Sequence, residues 1–275
     1  ITIGMLGCGV VGSQVARLLQ DDEQELSERS GALLKLSKVG VRTAGAREGV
    51  NSSLITTDLH SIVSDPSINI IIEVMGGIEP AKSLILEAIK NGKSVITANK
   101  ALLATHGTKL FDAAEQVGAQ LYFEAAVAGA IPIIRPLRES LAGDKVKRIM
   151  GIVNGSTNFI LDRMDTTGIS LAAAMAEATK LGYLEADPSL DVEGYDAAQK
   201  AAILASLAFH TEVPLDKVYR EGITKITSDQ MAAAKRDGYV IKLLAICESI
   251  AADEENAEGG ISVRVYPAMV PITIF

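Results

Sequence analysis

The sequence predicts an α/β protein: a doubly wound parallel sheet over the first half, then an α+β domain. Three observations carry this. Apolar runs of strand length alternate with amphipathic stretches of helix length up to residue 123. Residues 68–74 are apolar apart from Asn69 and Glu73, as expected of a parallel strand covered on both faces. The loop Gly7-Cys8-Gly9-Val10-Val11-Gly12 stands directly between the first strand and the first helix.

Residues 1–6 read as a buried strand. Residues 12–28 follow as one amphipathic helix, with Val15, Leu18, Leu19 and Leu26 at helical spacing. Residues 35–42 form a second strand and residues 43–53 a loop rich in Gly, Ser and Ala. A short helix over 58–64 ends before Pro66. After the 68–74 strand, Pro80 opens a helix to Lys90, since proline fits a first turn. Asn91-Gly92 ends it. Residues 94–98 form the next strand, a helix runs from Asn99-Lys100 to Val117, and residues 120–123 form the last strand of this half.

The pattern changes near Ile131-Pro132, which places a dinucleotide-binding domain over 1–131 and a substrate and dimerisation domain over 132–275. In the second domain, residues 132–142 read as a helix and 145–153 as a strand. Asn154-Gly155-Ser156-Thr157 reads as punctuation before a helix starting at Phe159. Helices follow over 170–181 and 195–210, with an acidic loop between them. Cys247 is placed on an apolar helix face. Asp253-Glu254-Glu255 and Gly259-Gly260 make an exposed turn before a strand over 261–266. The chain opens on Ile1 rather than Met and stops at Phe275 behind an apolar run, which predicts further protein at both ends.

Composition narrows the class. Of 275 residues, 48% are hydrophobic, 4% are aromatic and none is Trp, so the core rests on Ala, Val, Ile and Leu. The formal net charge of −8 leaves no basic stripe for phosphates and argues against nucleic acid. No apolar run reaches the roughly 18 residues of a membrane span. Cys8 and Cys247 show neither metal-ligand spacing nor a disulfide framework, and no signal-peptide pattern appears, so the expected location is cytoplasmic.

Five features carry chemistry. In the first, Gly7 allows a tight turn, Gly9 lets a pyrophosphate approach the backbone, and Gly12 lets helix and strand pack closely. The helix opening at Val10 and Val11 supplies N–H groups and a positive dipole end. This is the Rossmann-type dinucleotide fingerprint in its required context. The second is Arg42 after the second strand, where NAD sites usually carry an acid. It faces either a 2′-phosphate, favouring NADP, or solvent. The third is Thr97-Ala98-Asn99-Lys100 at the carboxyl end of a strand, the edge where such sheets bind ligands. Lys100 there reaches a nicotinamide ribose or substrate oxyanion, unless Asn99 is only a cap and Lys100 a surface residue.

The fourth is Glu124 to Pro132, small residues whose carbonyls either face a hard cation or make a tight domain junction. The fifth runs from Gly182 to Lys200, with five carboxylates between Glu185 and Asp196. Asp196 and Lys200 are i,i+4 and share a helix face with Ile203, Leu204 and Leu207. A Lys under the opposed influences of a helix N-terminus and nearby acids is placed for proton transfer. Alternatively the pair is a salt-bridged helix start. The acids also suit a substrate ammonium group.

Taken together, these segments resemble homoserine dehydrogenase. The resemblance rests on 7–12, Glu73-Val-Met-Gly-Gly, Thr97-Ala-Asn-Lys-Ala, Asn154-Gly-Ser-Thr-Asn-Phe-Ile-Leu and Gly-Tyr-Leu-Glu-Ala-Asp-Pro at 182–188. It implies NAD(P)-linked interconversion of L-homoserine and L-aspartate 4-semialdehyde, in threonine and methionine synthesis. It implies Lys200 as proton donor and acceptor, Glu185 and Asp196 as substrate ligands, and Asp191, Tyr183, Gly155 and Ser156 beside the substrate. It implies Lys100 touching both cofactor and substrate, and a sodium site on Glu124, Val127, Gly129 and Ile131. It also implies at least a homodimer, a further segment returning to the dinucleotide domain and, in many members, a regulatory domain.

Two other readings share the glycine loop. One is a different amino-acid or sugar dehydrogenase, against which the 182–200 segment argues. The other is a non-catalytic dinucleotide-binding fragment, against which the intact set Lys100, Glu185, Asp196 and Lys200 argues.

Overall fold

A computed structural model describes residues 1–129, 131–184, 187–252 and 259–274. The chain divides into two compact units, Ile1–Pro132 and Ile133–Phe275.

In the first unit, β1 (Thr2–Leu6) is the apolar segment read from the sequence, and it is buried from Ile3 onward. Helix α1 (Val10–Asp21) begins directly after Gly9 and presses Val15, Ala16 and Leu19 onto Ile3, Met5 and Val39. The single helix expected over 12–28 is two. Asp22, with φ −109° and ψ 21°, ends α1 and begins α2 (Glu23–Ser30). The sequence of α2, EQELSERS, buries no residue, so packing does not hold it in line with α1. Leu18 is exposed rather than on the buried face.

The chain continues through β2 (Lys35–Gly40), β3 (Ile55–Thr56), α3 (His60–Val63), β4 (Ile70–Glu73) and α4 (Ala81–Lys90), with Pro80 at the start of α4. Then come β5 (Ser94–Thr97), α5 (Lys100–Val117) and β6 (Leu121–Tyr122). The short strand β3 follows the loop expected over 43–53 and pairs only Ile55 and Thr56 with Val39 and Gly40. All six strands are parallel, in the order β3-β2-β1-β4-β5-β6. The winding direction reverses between β1 and β4, so the carboxyl ends of these two strands flank the crevice where such sheets bind ligands.

In the second unit, the helix expected over 132–142 is present over 134–140, and its last part, Pro136–Ser140, is π-type, with Leu141 N donating to Pro136 O. Then follow β7 (Arg148–Gly151), α6 (Gly155–Thr167), α7 (Leu171–Lys180), α8 (Ser189–Val192) and α9 (Tyr195–Ala208). The helix expected from Phe159 starts four residues earlier, because the Asn154 side chain caps it. The chain ends with β8 (Tyr219–Arg220), α10 (Ser228–Arg236), β9 (Tyr239–Ile250) and β10 (Gly260–Pro271). The four strands form a mixed sheet in the order β7-β9-β10-β8.

Cys247 lies on strand β9, not on a helix. Ile241, Leu243, Ala245 and Cys247 face the core under the helices, while Leu244 and Ile246 face Val270 on the other side. With both faces apolar, the alternation that marks a strand disappears. Burial pushes the Cys247 thiol up to about 12. The core beneath it is built on alanines of α9, namely Ala197, Ala198, Ala201, Ala202 and Ala205, which let the helix lie close to the sheet. The turn expected at Asp253-Glu254-Glu255 lies outside the described residues. Among the described residues no helix is long and apolar enough to cross a membrane.

Candidate functional site

The first site forms where β1 and β4 end. Gly7 has φ +104° and donates its N–H to Gly40 O at 2.9 Å, tying the loop to β2. A Cβ on Gly7 would meet Val74 C at 2.7 Å, and one on Gly12 would meet Gly7 O at 2.5 Å. Both glycines are therefore required by the fold itself. Gly9 differs: nothing lies within 4 Å of its Cβ position. It sits before α1 without a side-chain cap, so the first-turn N–H groups at Val10, Val11 and Gly12 have no intrahelical acceptor. That cradle fits a pyrophosphate, which needs close backbone approach and N–H donors.

The cleft beside it has a volume of about 660 Å³. Gly7, Gly9, Arg42, Arg47, Met75 and Pro80 are among its walls. Arg42 is exposed at the end of β2. Arg47 was not singled out from the sequence. Its guanidinium donates to Thr43 O at 2.9 Å, Ala46 O at 3.1 Å and Gly45 O at 3.2 Å, folding the loop beyond Arg42.

Glu73, also not assigned a site role from sequence, is fully buried at the end of β4. It accepts from Met75 N at 2.8 Å and Gly76 N at 3.2 Å through one oxygen, and from Thr97 Oγ1 at 2.6 Å through the other. Thr97 Oγ1 accepts from Asn99 N at 3.0 Å, and Asn99 Nδ2 donates to Gly77 O at 2.6 Å. The loops after β4 and β5 are thus laced together through one carboxylate. Asn99 caps α5 by accepting from Leu102 N, so Lys100 opens that helix at the carboxyl edge of the sheet. A carboxylate inside a strand is the signal that marked Glu73; which groups it bonds depends on the pairing of β4 with β5.

The segment expected to hold a cation starts with a 3₁₀ turn, Glu124–Ala126, and Val127 is buried. Ala128 and Gly129 follow with φ 63° and 53°, and Ile131 donates its N–H to Ala128 O at 3.0 Å. Ala130 lies outside the described residues.

The second site lies in the second unit, where α6 and α9 begin. It is a pocket of about 480 Å³ lined by Gly155, Ser156, Tyr183, Asp191, Asp196 and Lys200, together with Asn154 and Phe159. Lys200 Nζ lies 2.6 Å from Asp196 Oδ2 and donates to Val153 O at 2.7 Å. The pair is largely buried, with 17% of the Lys200 and 7% of the Asp196 side chain exposed. An ammonium has three donors, so two of them orient the head and one is left to face the pocket. Ser156 Oγ donates to Tyr183 O at 2.8 Å, and the Tyr183 ring meets Phe159 edge-on at 5.0 Å. Asn154 bonds both Asp191 and Asp196, a link not foreseen from the sequence. The structure thus brings together Gly155, Ser156, Tyr183, Asp191, Asp196 and Lys200. Glu185 lies outside the described residues.

Comparison with known proteins gives the same picture. The family model for the NAD-binding domain of homoserine dehydrogenase matches residues 7–124, and the model described as homoserine dehydrogenase matches residues 132–274. The homoserine dehydrogenase of Mycobacterium bovis is 54% identical over 273 residues, which is 99% of this chain and 62% of that protein. The chain therefore spans about three-fifths of the length of such relatives. A crystal structure of a homoserine dehydrogenase from Thiobacillus denitrificans superposes with a TM-score of 0.91 at 40% identity, over 98% of this chain and 62% of that one. A mutant of a hyperthermophilic archaeal homoserine dehydrogenase, solved in complex with NADPH, superposes with a TM-score of 0.77 at 28% identity, over 98% and 82%. With residues 7–124 forming an NAD-binding domain and a lysine–aspartate pocket in the second unit, this chain belongs to the homoserine dehydrogenase family.

Proposed function

We propose that the protein interconverts L-homoserine and L-aspartate 4-semialdehyde with NADP as redox partner. The observation that carries this is the Lys200 head, fixed by Asp196 and Val153 O at the wall of the second-unit pocket. The bound dinucleotide supplies the hydride acceptor or donor. In oxidation, Lys200 as the neutral amine takes the proton from the substrate hydroxyl. In reduction, its ammonium gives a proton to the oxygen of the aldehyde. Asp196 holds the cationic form beside the reacting oxygen. Asp191 suits the substrate ammonium, with Glu185 as a second acid for it. The N–H groups of Gly155 and Ser156 at the start of α6 suit its carboxylate, and Tyr183 borders it.

In this reading residues 1–131 bind the dinucleotide and residues 132–275 bind substrate. Gly7, Gly9, Val10, Val11 and Gly12 hold the pyrophosphate, while Thr97 and Lys100 serve the nicotinamide end. Arg42 pairs with the 2′-phosphate, and the NADPH complex of the archaeal relative supports that choice. A hard monovalent cation such as sodium on Glu124, Val127, Gly129 and Ile131 is supported by the left-handed pair Ala128–Gly129, since such backbone recurs at functional segments. Replacing sodium by a bulky organic cation is then expected to lower the melting temperature. A homodimer or higher homo-oligomer formed through the second unit would cover Met150 on β7, which is 57% exposed. Light scattering reports the assembled mass. A cytoplasmic home agrees with the two free cysteines.

The test is direct. L-Homoserine and NADP are mixed with the protein, and reduced nicotinamide is followed by its absorbance. Turnover supports the reading, and inert homoserine with turnover of another amino alcohol would replace it. A hydrogen bond to a charged group is worth about 1.5–3 kcal/mol. Arg42→Ala is therefore expected to raise KM for NADP about ten- to a hundredfold and to leave KM for NAD unchanged. Equal effects on the two cofactors would remove Arg42 from the 2′-phosphate.

A further inference from the structure

We infer that Asn154 is a positioning residue that sets the two aspartates of the pocket, and through Asp196 the Lys200 head. The inference rests on the activity proposed above for its kinetic consequences, but its geometry stands separately.

The orientation of the Asn154 carboxamide follows from its partners. Oδ1 accepts from Thr157 N at 2.8 Å and from Thr157 Oγ1 at 2.8 Å. A backbone N–H can only donate, so the oxygen faces α6 and the amide nitrogen faces the acids. Nδ2 then donates one hydrogen to Asp191 Oδ1 at 2.6 Å and the other to Asp196 Oδ2 at 2.9 Å. The residue is 5% exposed, and its bonds to Asp196 and Thr157 are buried while that to Asp191 is partly so.

Three consequences follow. Both carboxylates accept from the same amide, which keeps them side by side. The Asp196 oxygen that accepts from Asn154 is the one that meets Lys200 Nζ at 2.6 Å. Its rotamer is therefore set from two directions. Finally, the same amide caps α6 and so couples these acids to the helix start at Gly155 and Ser156. Such partners of site residues commonly matter about ten- to a hundredfold, and a misplacement near 1 Å can cost about a hundredfold in rate.

Two variants separate positioning from folding. Asn154→Ser and Asn154→Asp both keep an oxygen able to cap α6. Neither donates to Asp191 and Asp196 together, and Asp adds a third negative charge. The expected result for Asn154→Ser is a melting temperature close to wild type, a KM for NADP within twofold, and a kcat lower by about tenfold or more. Asn154→Asp is expected to lose about a hundredfold or more in kcat. In a crystal structure of Asn154→Ser, the Asp196 carboxylate is expected to turn away and lengthen its contact with Lys200. A serine variant with wild-type kcat, or one whose Asp191 and Asp196 keep their places, would overturn the inference. If the wild type itself leaves homoserine unchanged, the proposed activity fails, while the crystal structure still decides the role of Asn154.

Discussion

Lys200→Ala is expected to lower kcat for homoserine oxidation by about 10²–10⁴, the usual worth of a positioned general acid or base. The reason lies in the geometry of the pair. Nζ is held by Asp196 Oδ2 and Val153 O, and alanine removes this ammonium from the pocket. A second effect accompanies it. Asp196 would keep its Asn154 donor and lose its cation inside a largely buried site. Breaking one side of a buried pair costs about 3–5 kcal/mol. The surviving Asn154 bond and the partial exposure of Lys200 place the expected loss at or below the lower end of that range. The dinucleotide contacts proposed above lie in the other unit, so NADPH binding followed by fluorescence is expected to stay within twofold. Turnover of the variant near the wild-type rate would end the proton-transfer role. Loss of NADPH binding together with turnover would show a general folding defect instead.

Gly9→Ala and Gly7→Ala are expected to fail in opposite ways. Gly9 has φ −84° and ψ −156°, which alanine tolerates, and its Cβ position is open. The variant should melt like the wild type. The added methyl occupies the space reserved for a pyrophosphate approaching the N–H groups of α1, so the Kd for NADPH is expected to rise about a hundredfold. Gly7→Ala meets Val74 backbone atoms at 2.7–2.8 Å and is held at φ +104°. Left-handed strain costs about 1–3 kcal/mol, and the clash adds to it, so this variant loses stability before binding is measured. Thermal unfolding and fluorescence titration on the two proteins separate a glycine kept for a ligand from one kept for the fold. A Gly9→Ala protein binding NADPH as tightly as the wild type would remove the dinucleotide from this loop.

Much of the first unit was legible as sequence. Strands β1 and β4 are short apolar runs, and helices α4 and α5 have Pro80 and Asn99 immediately before their first residues. These are local signals, set by backbone geometry and side-chain period. Asp196 and Lys200 were also legible as one helix face, because i,i+4 spacing is itself local. The second unit was harder. Strand β9 is apolar on both faces, so Cys247 fitted a helix as well as a strand until β10 and β7 paired with it.

The sequence by itself determined the doubly wound fold, the glycine loop and the Asp196–Lys200 pair of the second-unit pocket. Only the tertiary structure decided which groups meet. Asn154 read as a break in the chain, yet its amide bonds residues 37 and 42 positions further on. Val153 O meets Lys200 across 47 positions, and Glu73 meets Thr97 across 24. Each of these bonds joins a donor and an acceptor whose separation along the chain carries no period. Their meeting depends on how β7, α6 and α9, or β4 and β5, pack beside one another.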